Sequence, residues 1–456
     1  MEVISLFAGC GGLDLGFRRA GFNVVWANEF DKTIHDTYRR NHPQTILNTS
    51  DIRTLHEDSI PDCDGIIGGP PCQSWSLGGK SLGLDDERGQ LVYDYIRIVK
   101  AKQPKFFIME NVAGMVSPRH IKSFQGFLEL FRNAGYRVKF ELINAADFRI
   151  PQDRLRVFIV GIRKDINCEY FFPVIKPRKA ISLYKAIGDL KTPPRAYCTE
   201  KVIQKDEVIP NHDYYTGPFD AKFMARNRIK SWEEKSYTIQ AQAKNEPLHP
   251  QAPKMKYINE NQRSFVPGNE KLYRRLSVRE CARIQTFPDR FYFVYSDVRD
   301  GYKMVGNAVP PRLAEALAVS IRDCLSLLGT STTFQNVLIG YIKNLKDLEI
   351  VKRSKVYYVR SDNRVGALQY GQIEKPIKLL LLHHGNMKWL FELTTGAALP
   401  CNKEYLKKLG FNPHGKSYWS FIVDRELEVT NYSSIVNANI KLTTSPQIIQ
   451  IQSDNV

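Results

Sequence analysis

Six short apolar runs fill the first 165 residues, and the stretches between them carry a different, helical period. The runs are Val3–Phe7, Val24–Ala27, Gly65–Gly68, Phe106–Glu110, Val138–Asn144 and Val157–Gly161. Runs of four to seven such residues have the length of buried strands and are too short for helices. Between them, Leu13, Phe17 and Ala20 fall on one face of a helix that stops at Gly21, and Leu91–Ala101 and Ile121–Ala134 have helix length. Strands alternating with helices predict an α/β fold on a doubly wound, mostly parallel sheet. Such sheets bind their ligands beyond the carboxyl ends of the strands.

This rhythm stops near Pro173. From there to Asp300 prolines recur and basic residues are dense, which predicts a second, irregular, β-containing domain over 173–300. Regular structure returns at Arg312–Leu328, where Leu313, Leu317 and Ile321 mark a helix face. Gly329–Thr333 reads as a linker. The α+β tail that follows contains runs such as Val356–Val359 and carries 16 Lys and Arg against 10 Asp and Glu. It is expected to be an accessory domain over 329–456.

Composition narrows the class. With 43% hydrophobic and 25% charged residues in 456, the chain is neither disordered nor an integral membrane protein, and no apolar run approaches the ~18 residues that span a bilayer. Its N-terminus lacks the pattern of a secretory signal, so a soluble, cytoplasmic protein is expected. The net charge of +17 points to a polyanionic partner, most commonly nucleic acid, although a basic surface can also be inert. Eight scattered cysteines without a Cys-x-x-Cys pair predict neither a disulfide framework nor a metal site.

Four clusters sit at strand ends. Gly9-Cys10-Gly11-Gly12 follows the first strand, where a glycine turn lets a ligand approach a helix N-terminus. Asp14 occupies the place of a third glycine, so a purely structural turn explains it equally well. Gly68-Gly69-Pro70-Pro71-Cys72 follows the third run; the prolines stiffen a loop that presents one thiol, a strong nucleophile once ionised. A buried, inert cysteine is the alternative, better suited to Cys63 or Cys324. Met109-Glu110-Asn111-Val112 places a carboxyl at the next strand end, either a general acid or a helix cap. Gln152-Asp153-Arg154-Leu155-Arg156 leads into the last run with two arginines expected on one face.

In this order the clusters resemble the cytosine-C5 DNA methyltransferases of restriction–modification systems. The likeness runs through Arg274–Gln285 to Gly306-Asn307-Ala308-Val309-Pro310 and covers roughly residues 1–328. It implies a catalytic domain of residues 1–172 completed by 301–328, with 173–300 as the target-recognition domain. It also implies transfer of a methyl group from S-adenosylmethionine to carbon 5 of a cytosine flipped out of double-stranded DNA. Cys72 matches the family nucleophile, Glu110 the carboxyl that engages N3, and Arg154 and Arg156 the arginines beside them. The cofactor site maps onto Phe7, Gly9, Glu29, Phe30, Asp51, Ile52, Pro70, Leu91 and Asn307. Ser76–Arg88, with Gly78, Gly79 and Gly83 as hinges, matches the closing loop. Phe223–Arg228 and Leu248–Pro253 resemble members that read GGCC, which makes Arg226, Arg228 and Lys244 the candidate DNA-binding residues, Lys244 standing where such members carry an arginine. A monomer is expected, with a companion endonuclease acting on the same site. Two other readings fit parts of the pattern. A tRNA methyltransferase of this fold would not need the long basic segment 173–300, and a catalytically silent DNA-binding regulator would not keep both Pro-Pro-Cys and Glu-Asn-Val.

Overall fold

The structure is a computed structural model, and it describes residues 1–71, 87–173, 181–190, 194–197, 209–326, 334–360, 377–384, 387–394, 399–414, 417–427 and 447–452. Cys72, the three hinge glycines and the linker 329–333 lie outside the described residues.

The N-terminal sheet consists of β1 (Glu2–Leu6), β2 (Asn23–Asn28), β3 (Ile46–Asn48), β4 (Gly65–Gly68), β5 (Phe106–Val112), β6 (Tyr136–Asn144) and β7 (Leu155–Arg163). Its order is β3-β2-β1-β4-β5-β7-β6. The chain builds outward from β1 in one direction and then from β4 in the other. A topological switch therefore falls where Leu6 pairs with Gly68, and a crevice opens at such points. All pairings from β3 to β5 are parallel, as the alternating pattern predicts. The antiparallel member is β7, which pairs with both β5 and β6. Residues 145–154 form a tight connection from β6, with no crossover helix to carry the chain back.

Four helices belong to this part: α1 (Gly12–Arg19), α2 (His35–Asn41), α3 (Glu87–Lys102) and α4 (Ile121–Asn133). The following segment is irregular: α5 (Leu183–Ile187), β8 (Arg195–Tyr197), β9 (Asp213–Tyr215), α6 (Ala221–Met224), β10 (Lys256–Asn259) and β11 (Gln262–Ser264). Then come α7 (Val278–Ile284), α8 (Val298–Asn307) and α9 (Pro311–Ser326). A capping box starts α7: the Ser277 hydroxyl accepts from Glu280 N at 3.1 Å, while Glu280 accepts from Ser277 N at 2.7 Å. Arg274 grips the same Glu280 with two 2.7 Å bonds. The run Arg274–Gln285 thus acts as a brace for this segment.

Helix α9 returns to α1. Leu313, Leu317 and Ile321, the predicted helix face, share one apolar cluster with Leu13, Phe17, Val3 and Val24. One expectation fails here. Cys168, beyond β7, is disulfide-bonded to Cys324 near the end of α9, with Cα atoms 5.8 Å apart. The sequence separation of 156 hides this pair, because only the return of α9 brings the two together.

The tail forms a second seven-stranded sheet: β12 (Phe334–Tyr341), α10 (Leu345–Ser354), β13 (Val356–Arg360), β14 (Ile377–His384), β15 (Met387–Leu393), β16 (Leu399–Asn402), α11 (Lys403–Leu409), β17 (Ser417–Leu427) and β18 (Gln447–Gln452). It meets the first sheet at the edge strand β6. Phe140 N donates to Thr394 O at 3.4 Å, and Arg132 reaches both Asp424 and Thr394 Oγ1 at 3.2 Å. One apolar cluster continues from Phe124 and Phe140 to Leu338, Phe391 and Tyr418. Covering an edge strand removes a site for unwanted pairing.

A chain ended at Thr330 retains β1–β7 and α9 but loses this cover. It should fold and keep the methyl transfer expected from the sequence, yet unfold at a lower temperature and self-associate more readily. Thermal unfolding, sedimentation and transfer assays would check this. A folded but inactive short chain would refute the accessory role of the tail.

Candidate active site

The glycine-rich turn after β1 is shaped from below. Gly11 has φ 85°, and a Cβ there would lie 2.1 Å from Nε2 of the buried His42, so a side chain at this position would collide with the imidazole. His42 stacks on Tyr38, and burial drives its pKa down to about 4, which keeps it neutral. Asp14, in the first turn of α1, accepts from Ser5 Oγ and Tyr38 Oη, both at 2.6 Å. Burial raises its pKa to about 6 against the lowering effect of those two bonds.

At the end of β2, both oxygens of Glu29 are engaged. Gly9 N donates to one and Asp31 N to the other, each at 2.8 Å. Burial pushes this carboxyl up, and the two amides pull it down. The carboxylate is thereby fixed beside the glycine turn. Phe30, next to it, is 62% exposed, an unusual state for a phenylalanine.

At the end of β5, Glu110 is buried, which raises its pKa, while Arg156 and then Arg154 oppose the shift. Arg156 Nε lies 3.1 Å from Glu110 Oε1. Asn111, its neighbour, is buried and donates to Pro70 O at 3.3 Å. This bond ties the Pro-Pro-Cys loop to the strand that carries Glu110. The expectation that Arg154 and Arg156 form one cationic pair is modified. Arg154 is fully buried and donates to Gly306 O at 2.9 Å and Ile239 O at 3.4 Å, so it fastens the irregular segment to the first sheet. Gln152 works alongside it, bonding Gln285 Oε1 and Ile239 N, each at 2.9 Å.

Part of this arrangement opens on a cavity of about 860 Å³ at the switch point. Phe7, Gly9, Glu29, Phe30, Asp51, Ile52, Pro70, Leu91 and Asn307 all line it, together with Glu110 and Pro71. The donor set fits a nucleoside carrying an amino-acid chain. It combines a fixed carboxylate for a diol, an exposed aromatic ring for a flat heterocycle and a glycine turn that admits close approach. Asp51 is engaged with Arg53, at 2.5 Å from its Nη2, so its carboxylate meets a ligand already paired.

The DNA-binding candidates divide. Arg226 and Lys244 are exposed; Lys244 lies 3.8 Å from Asp220. Arg228 is buried, donates to Phe223 O at 3.0 Å and Lys222 O at 3.2 Å, and covers the Phe223 ring. Its fork is occupied by carbonyls of α6, so it braces that helix and does not project as a free base-reading group.

Lys303 and Asp31 also line the cavity, and no sequence motif marked them as a pair. Lys303 Nζ on α8 lies 2.8 Å from Asp31 and 2.7 Å from Thr33 Oγ1. Through the Asp31 amide, this clasp reaches the Glu29 carboxylate. The 272 residues between the partners put it beyond any local pattern.

Comparison with known proteins agrees with this geometry. The family model described as C-5 cytosine-specific DNA methylase matches residues 1–323. The Type II methyltransferase M.NgoPII of Neisseria gonorrhoeae is 49% identical over 329 residues, covering 71% of this chain and 96% of that protein. M.MthTI of Methanothermobacter thermautotrophicus is 50% identical over 326 residues, 71% of this chain and 98% of its own length. Among solved structures, one described as a prophage-encoded DNA modification methyltransferase (E. coli) superposes with TM-score 0.55 at 25% identity, covering 72% of this chain and 99% of that one.

The clasp generates a prediction. Lys303→Ala should free the Glu29–Phe30 turn and weaken S-adenosylmethionine binding by about fivefold, an effect of about 1 kcal/mol, the upper end for a partly exposed pair. Lys303→Arg should restore most of it. Calorimetric titration with the cofactor would measure both, and unchanged affinity in the alanine variant would refute the clasp.

Proposed function

The chain belongs to the C-5 cytosine-specific DNA methylase family, and on that premise we propose that it methylates carbon 5 of a flipped cytosine in duplex DNA, with GGCC as the target. The observation that carries this reading is that Glu110 and all nine cofactor candidates line one cavity, together with Pro71, the residue that precedes Cys72 in the sequence.

Each role follows from chemistry the site supports. The Cys72 thiolate adds to carbon 6, which turns carbon 5 into an enamine-like centre. Glu110 engages N3 and offsets the charge that develops as the ring loses aromaticity. Its burial favours the protonated carboxyl, and Arg156 holds its orientation. S-adenosylmethionine, when bound, would supply the methyl group and leave as S-adenosylhomocysteine. Loss of the proton on carbon 5 restores the ring and expels the Cys72 thiolate. Glu29 would hold the cofactor's ribose hydroxyls, with Phe7 and Phe30 as apolar flanks for its adenine and Asp51 for the adenine amino group. Asn307 reaches the site because α8 leads back to the glycine turn. The resemblance makes Ser76–Arg88 the closing loop; residues 76–86 of it lie outside the described residues.

For the domains, we assign 1–172 with 301–328 to catalysis, 173–300 to target recognition and 329–456 to an accessory role. Arg226 and Lys244 contact the DNA, with Arg228 bracing α6, which ends two residues before Arg226. A lysine reaches a guanine edge without the bidentate fork of an arginine. The enzyme acts as a cytoplasmic monomer and protects DNA from an endonuclease that cuts the same site.

Two experiments test this. Duplex DNA carrying 5-fluorocytosine at the target should trap a complex resistant to SDS, because fluorine does not leave as a proton does. Cys72→Ser should abolish trapping, whereas substitution of the buried Cys281 should leave it intact; trapping by the Cys72 variant would sink the assignment. Plasmid from cells expressing the enzyme should resist a GGCC-cutting endonuclease, with bisulfite sequencing placing the mark on the first cytosine. Methylation confined to another sequence would overturn the target and leave the mechanism intact.

A further inference from the structure

Tyr257 and Ile258 are 60% and 49% exposed, and they are the one sequence-adjacent pair among the exposed large apolar residues described. They lie in β10, whose four residues are all exposed. The pairing with β11 shifts register between Tyr257 and Asn259, so Ile258 sits at an irregularity of the β10–β11 ribbon and stands exposed beside Tyr257. A two-stranded ribbon on its own is marginal in water.

Its base is nevertheless anchored. Met255 N donates to Asn227 Oδ1 at 3.1 Å, and Met255 is buried with Phe223 and Leu248. Asn227 also donates to Ile229 O at 2.7 Å. The anchor point is therefore the stretch that carries Arg226. The ribbon is also basic. Residues 254–264 hold Lys254, Lys256 and Arg263 against Glu260 alone. The Arg263 guanidinium carbon lies 4.3 Å from the centre of the Tyr257 ring, and its Nη1 donates to Asn259 O at 2.5 Å and Gln262 O at 3.0 Å, so the ribbon itself holds cation and aromatic ring together.

We infer that the β10–β11 ribbon is a duplex-DNA contact, laid against a groove beside Arg226. Lys254, Lys256 and Arg263 face phosphates, while Tyr257 and Ile258 meet the apolar surface of sugars and base edges. A B-form major groove admits a two-stranded ribbon. Charge selects this occupant over a second copy of the chain, since each copy carries +17 and the ribbon itself is positive. The inference rests on duplex DNA being the substrate, as proposed above.

The test uses the full chain, a duplex carrying GGCC and a salt series followed by fluorescence anisotropy. Tyr257→Ala with Ile258→Ser should weaken binding by about fivefold to tenfold, the range of a lost groove contact. Arg263→Ala should weaken it and reduce the slope of log affinity against log salt by about one, as for a lost phosphate contact. Melting temperature and S-adenosylmethionine affinity should stay at wild-type values, because the ribbon is exposed and lies apart from the cofactor cavity lining. Binding within twofold of wild type at an unchanged slope would overturn the inference while leaving the methyltransferase reading untouched. A wild-type dimer that the apolar variant turns into monomers would also overturn it, by assigning the ribbon to a second copy. Failure of the wild type itself to bind or methylate any duplex would remove both readings.

Discussion

Gly16 lies so close to α9 that a Cβ there would sit 2.3 Å from Ala314 Cβ and 2.6 Å from Glu315 N. This approach of two helices from opposite ends of the segment that matches the methylase family is the contact on which the rest depends. Gly12 makes a similar one, since its Cβ would lie 2.5 Å from Val309 O. With α9 seated against α1, Asn307 and Lys303 are delivered to the glycine turn, and Cys168 meets Cys324. A larger side chain at Gly16 would have to displace backbone, not a flexible side-chain end. Overpacking of this kind typically costs about 1–3 kcal/mol.

The site built on that contact is an arrangement of desolvated charges, each with its donors in place. Asp14 is held by Ser5 and Tyr38, Glu29 by the Gly9 and Asp31 amides, and Glu110 by Arg156. Burial alone raises the pKa of all three, and without partners each would be costly to keep inside. Arg154 extends the same logic to the backbone, because its donors satisfy the carbonyls of Ile239 and Gly306 at the junction of two segments. The hydrogen bonds that position the cofactor candidates are therefore formed within the chain itself, which lowers the ordering that binding must impose.

Every described residue lining the cavity lies at or before Val309, so none of the described residues of the second sheet adds to its wall. Its contribution is made beside β6, where Arg132 of α4 meets Asp424 and Lys139 of β6 meets Glu392 across an apolar seam. An open sheet ends in unpaired edges, and the tail covers this one with structure of its own.

Much of this architecture was legible in the order of residues. The strand runs appear close to where their periodicity put them, because a buried strand must be apolar throughout and the chain offers few such runs. The cofactor candidates were legible because they sit at strand ends in short motifs, and strand ends in a parallel sheet share one edge. Arg228 and Arg154 read as projecting cations, since a sequence shows charge and not burial; the fold surrounds both with carbonyls. The reversal of β7, the Cys168–Cys324 bond and the Lys303–Asp31 clasp were not legible. Each joins partners through packing that local propensity does not encode. The sequence by itself determined which elements form and which chemistry their ends carry, because periodicity and side-chain type are local properties. Only the tertiary structure decided which charges are buried, which are braced and which face the cavity, because those depend on segments hundreds of residues apart arriving at the same edge.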